Sequence, residues 1–127
     1  MMMLTTITMT KKFLFVLRKP AYSGLYVQEM LDIILTTAAF EQPVSVLFLD
    51  EGVFHLKAHQ CAENSGYKNA GTLFSMLPTM DVEALFVETE SLLSHGISQK
   101  NLTLPVTVLP RDALAPFMAA FDVVFSG

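Results

Sequence analysis

The chain has 127 residues, of which 52% are apolar and 16% charged, and its formal net charge is -4. A single domain of this length buries roughly two thirds of the surface of its unfolded chain. The acidic balance argues against direct nucleic-acid binding by this chain, because neutralising phosphates requires a basic patch. The single cysteine, Cys61, excludes an intrachain disulfide and indicates a cytoplasmic protein.

The N-terminal segment, residues 1–11, is interpreted as a disordered tail ahead of one α/β domain over residues 12–127. Its bases, Lys11 and Lys12, follow the apolar part, whereas a signal peptide has them before it. No apolar run reaches the roughly 18 residues of a membrane span, so we expect no membrane partner.

Two buried strands and one helix are predicted in the first part of the chain. The apolar runs 13–17 and 44–49 lack polar alternation, which is typical of strands covered on both faces, and 44–49 is expected to be central. Residues 25–40 have helical apolar spacing. Tyr26, Ile33 and Phe40 widen the apolar arc of this helix, which suggests a contact with another subunit.

The second part of the chain alternates helices and strands. A helical turn is predicted over 53–56, an exposed loop over 57–68, and a helix over 69–77 that is ended by Pro78. A strand over 84–87 is followed by a short helix, which is capped by Thr89 and followed by Gly96 in a left-handed conformation. A strand over 106–109, a helix that is capped by Asp112 and has Pro116 in its first turn, and a strand over 123–125 complete the chain.

This alternation predicts a single-domain, five-stranded, mostly parallel sheet with helices on both faces. The expected topology is flavodoxin-like, with strand order 2-1-3-4-5 or a close variant. The predicted core residues are Leu14, Val16, Val46, Phe48, Phe86 and Val124.

The motifs of common cofactor-binding α/β domains are missing. No glycine-rich phosphate loop follows the first strand, and Arg18 and Lys19 stand where a phosphoryl receiver needs acids. No cofactor is therefore predicted, although a flavodoxin-like small-ligand binding domain stays open as an alternative.

Glu51, His55 and His59 are weak candidate metal ligands, because a continuous helix would place them on one face. Only a few apolar residues support that helix, so no metal site is predicted.

Four segments resemble the DsrE/DsrF-like sulfur-relay family, closest to its DsrF/TusC branch. They are residues 20–24 (PAYSG), 48–54 (FLDEGVF), 77–87 and 121–125 (FDVVF), and the resemblance extends from Lys12 to the C-terminus. It implies a small α/β subunit of a cytoplasmic complex with DsrE/TusD-like and DsrH/TusB-like partners. Such complexes pass persulfide sulfur between proteins, toward 2-thiouridine in tRNA in the TusC setting or in sulfur oxidation in the DsrF setting.

The functional residues are expected at the carboxyl ends of the strands, where ligands and partners gather in open parallel sheets. The residues predicted at this partner or site corner are Tyr22, Asp50, Glu51, Gly52 and Glu88. In the DsrE/TusD-like branch the sulfur-carrying cysteine follows the third strand, and here the matching residue is Glu88 or one of its neighbours.

None of these matching residues is a cysteine, and a carboxylate cannot carry a persulfide. The resemblance therefore implies a noncatalytic subunit. The alternative is a sulfurtransferase that uses Cys61, which lies in the polar 57–68 segment, as its persulfide carrier.

Overall fold

The computed structural model describes residues 11–19, 25–56, 77–80, 82, 84–102 and 105–126. The strands are β1 (Phe13–Leu17), β2 (Val44–Phe48), β3 (Ala84–Glu88), β4 (Thr107–Leu109) and β5 (Val123–Ser126). The α-helices are α1 (Leu25–Ala39), α2 (Thr89–Ser94) and α3 (Leu114–Ala119). Short 3-10 helices cover Asp50–Leu56, Leu77–Met80, Gln99–Asn101 and Arg111–Ala113.

The five strands form one parallel sheet in the order β4-β3-β2-β1-β5. The predicted fold class and the central position of β2 are confirmed. The predicted order 2-1-3-4-5 is wrong, because β2 pairs directly with β3 and β1 lies between β2 and β5. The chain thus steps from β1 to β4 in one direction and crosses back only once, to place β5 beside β1.

This order explains an unequal division of the helices between the two faces. Right-handed crossovers place α1 and α2 on one face and α3, which returns the chain from β4 to β5, on the other. The core is divided in the same way. The α1 face buries Phe15, Leu17, Val46, Phe48 and Val87 together with Met30, Leu31 and Ile34 of the helix. The α3 face buries Leu14, Val16, Leu47, Leu49 and Leu114.

The predicted core is confirmed for its four residues on β1 and β2, namely Leu14, Val16, Val46 and Phe48. Phe86 is partly buried and packs against Phe117, with 4.6 Å between the ring centroids. The prediction is wrong for Val124, which is 44% exposed. Val124 belongs to an edge strand, so the short α3 leaves much of its side chain uncovered.

Two predicted helix caps are also wrong. The Thr89 hydroxyl donates to the carbonyl oxygen of Leu109 at 3.3 Å, and Glu88, at the N-cap position of α2, makes no side-chain cap hydrogen bond. The Arg111–Ala113 turn leads directly into α3, so Ala113, not Asp112, stands at its N-cap. Gly96 has a φ of 65°, which confirms its left-handed conformation after α2.

Several predictions fall wholly or partly outside the described residues, among them the loop over 57–68 and most of the helix over 69–77. Pro78 is the second residue of the Leu77–Met80 turn. None of the helices that the structure describes has the length and apolarity required to cross a membrane.

Candidate functional site

Four charged side chains follow four neighbouring strands at one edge of the sheet. Arg18 follows β1, Asp50 comes two residues after β2, Glu88 ends β3 and Arg111 comes two residues after β4. Because the strands are parallel, their carboxyl ends lie at the same edge. The sheet topology therefore brings together two acids and two arginines that are far apart in the sequence.

A close backbone approach fixes this corner between β1 and the Asp50–Leu56 helix. A Cβ atom on Gly52 would lie 1.9 Å from the carbonyl oxygen of Leu17, so no side chain fits there. The same carbonyl accepts a hydrogen bond from the N–H of Leu49 at 3.0 Å. Asp50 has a φ of 50°, a left-handed conformation that aspartate tolerates better than most residues. The end of β2 is therefore held tightly against the end of β1.

Asp50 connects the first two strands to α2. Its carboxylate accepts from Arg18 Nε at 3.0 Å, and about half of each of these side chains is exposed. Its backbone N–H donates to the hydroxyl oxygen of Ser91 at 2.8 Å. Since the Arg18–Asp50 pair is solvated, it contributes little to stability, and the bond to the buried Ser91 is the more effective constraint on the loop.

Glu88 lies at the centre of the corner, and only 5% of its side chain is exposed. Its carboxylate accepts hydrogen bonds from the Ser91 hydroxyl and from Arg111 Nε, the latter at 2.9 Å. Burial raises the pKa of the Glu88 carboxyl, but the hydrogen bonds from Arg111 and Ser91 and the nearby positive charges outweigh it, so the pKa lies below its ordinary value. Glu88 is therefore an ionised carboxylate at neutral pH.

Arg111 is held at two points. Its side chain binds Glu88, and its backbone N–H donates to the Glu90 carboxylate at 2.8 Å. The hydrogen bond to Glu88 raises the pKa of the Arg111 guanidinium. These contacts join the end of β4 to the β3–α2 junction and fix the guanidinium over the buried carboxylate.

His55 lies inside the protein next to this corner and is fully buried. Its Nε2 atom lies 2.9 Å from the carbonyl oxygen of Lys19. A carbonyl only accepts, so Nε2 carries the hydrogen and donates it. Burial lowers the pKa of His55 to about 4, although the bond to Lys19 partly opposes this shift.

The weak candidate metal ligands do not share one face. Glu51 is exposed, His55 is buried, and the two belong to a 3-10 helix, whose turn of about three residues does not align positions four apart. His59 lies outside the described residues. No group of three potential protein ligands for a metal occurs in the part of the chain that the structure describes.

Of the predicted site residues, Asp50, Gly52 and Glu88 meet at the corner, and Glu51 lies on its exposed side. Tyr22 and Cys61 lie outside the described residues. Sequence reasoning missed Ser91 and Arg111. A usable signal was present for Arg111, because a base after β4 and an acid at the end of β3 are placed side by side when these strands are neighbours.

The chemistry of this arrangement is that of a closed ion-pair network. Glu88 receives hydrogen bonds from Ser91 and Arg111, and the Ser91 hydroxyl is engaged both as donor and as acceptor. The Glu88–Ser91–Arg111 group contains no thiol, so nothing in it forms a persulfide. Its evident effect is to hold the ends of β2, β3 and β4 in a fixed relation.

Comparison with known proteins identifies the family. The model of the DsrE/DsrF-like family matches residues 11–126. The chain belongs to the DsrE/DsrF-like family. It is 38% identical to the intracellular sulfur oxidation protein DsrF of Allochromatium vinosum over 92 residues, which are 72% of this chain and 68% of that protein. It is 34% identical to a TusC homolog of Pseudomonas aeruginosa over 118 residues, 93% of this chain and 99% of that protein.

The family fold is also found among solved structures. The crystal structure of the ychN protein from E. coli matches with a TM-score of 0.76 and covers 93% of this chain and 100% of that chain. The sequence identity of this match is 16%, so it is a likeness of fold. It agrees with the parallel five-stranded sheet described above.

Proposed function

We propose that this chain is a noncatalytic subunit of a sulfur-relay complex, where it holds a cysteine-bearing partner in place. The DsrF and TusC-homolog relatives support the relay setting, since the name of the first assigns it to intracellular sulfur oxidation. The family relationship covers residues 11–126, which include every described strand.

The observation that carries the noncatalytic role is the buried carboxylate of Glu88 at the end of β3. In the DsrE/TusD-like branch the resemblance implies a persulfide-forming cysteine at this place. Here the site holds an ionised acid that is bonded to Ser91 and Arg111. A carboxylate has no sulfur to oxidise or transfer, and replacing it would leave Arg111 without its buried partner.

The partners in this proposal are DsrE/TusD-like and DsrH/TusB-like subunits. The chain contributes a rigid surface, and the thiol chemistry is carried out by the DsrE/TusD-like subunit. The set of partners present in the cell decides whether the sulfur goes to tRNA 2-thiouridine or takes part in sulfur oxidation. The proposed setting is the cytoplasm, because relay thiols must stay reduced between transfers.

The test is to load the reconstituted complex with sulfur from a persulfide donor, alkylate it, and measure the mass of each intact chain. We expect persulfide on the DsrE/TusD-like subunit and none in stoichiometric amount on this chain. A Cys61→Ser variant of this chain is expected to retain full relay activity. Stoichiometric persulfide on Cys61, together with loss of relay in the variant, would show instead that the chain is a sulfurtransferase.

A further inference from the structure

We draw no further inference here: the strongest candidate, the groove of about 400 Å³ between α2 and the Gln99–Asn101 turn, is lined by Leu92, Ile97 and Lys100, but nothing in the structure shows what covers it.

Discussion

Arg111 donates through Nε to Oε2 of Glu88 at 2.9 Å, and the two side chains differ greatly in exposure, at 63% for Arg111 and 5% for Glu88. A buried carboxylate is thus neutralised by a cation that stays in contact with solvent. This arrangement avoids most of the cost of burying two opposite charges together, because only one partner leaves water. It also explains how an acid is accommodated at the end of β3.

Replacing Glu88 by glutamine is expected to destabilise the fold by about 1 to 3 kcal/mol, because the charged hydrogen bonds to Ser91 and Arg111 weaken. The folded-state pKa of Glu88 is lowered, so its stabilisation is present above the ordinary pKa of 4.5 and is lost as the pH falls below it. Urea unfolding at pH 7 and at pH 3 measures both effects. The exposed Glu51→Gln serves as control and is expected to change stability by less than about 0.5 kcal/mol. A neutral result for Glu88→Gln at pH 7 would contradict the structural role of the carboxylate.

His55 predicts a second, separate pH dependence. Burial lowers its pKa from 6.5 to about 4, so between these values the unfolded chain binds a proton that the folded chain does not. Stability should fall by about 3 kcal/mol as the pH falls from 6.5 to 4, at 1.36 kcal/mol per pKa unit. A His55→Gln variant keeps a donor for the Lys19 carbonyl and should lose most of this slope. The same slope in variant and wild type would show that other groups cause it.

Gly52→Ala is expected to be among the most damaging single substitutions. The added Cβ would lie 1.9 Å from the Leu17 carbonyl oxygen, so the β1–β2 corner must open, with an expected cost above about 3 kcal/mol. The matched control is Gly96→Ala. Apart from Gly96 itself and its two chain neighbours, no heavy atom lies within 4 Å of the added Cβ, and the φ of 65° costs about 1 kcal/mol or slightly more. Thermal melts of the two variants should differ clearly, and similar melting temperatures would contradict the close approach.

Phe48→Ala tests the central strand. Phe48 is fully buried, and its loss is expected to cost about 3 to 5 kcal/mol in denaturant unfolding. The control is Phe40→Ala, which removes the same ring from a site that is 73% exposed and should cost less than about 1 kcal/mol. A loss below about 1 kcal/mol for Phe48→Ala would argue against β2 as the core of the sheet.

The strands were predictable where burial on both faces produces an apolar run without polar alternation. The run from Val44 to Phe48 is of this kind, and so is β1. The order of the strands was not predictable in this way. β1 lies between β2 and β5, whereas the predicted order places it between β2 and β3, and a buried strand has the same composition in either position. Val124 shows the same limit, since an apolar strand at an edge has the sequence of an interior one.

The candidate site was predictable in its position but not in its contacts. Asp50 and Glu88 were expected at the carboxyl edge, and they lie there. Arg111 was missed although the predicted order already places β3 beside β4, because the sequence does not indicate that a base two residues after β4 reaches back to the carboxylate at the end of β3. The failed cap at Thr89 has a similar cause, because the hydroxyl finds a tertiary partner in the Leu109 carbonyl.

The pairing of the first strand with the last has a consequence for how the protein is made. The N–H of Lys12 donates to the Asp122 carboxylate across 110 residues, beside the register of β1 with β5. At ribosomal rates of about 5 to 20 residues per second, β5 is synthesised roughly 5 to 20 s after β1. During this time one edge of β1 and the ring of Phe15 lack their final cover. Closing a loop of this length is slow and entropically unfavourable, so we expect β5 to join the sheet after β1 to β4 have paired.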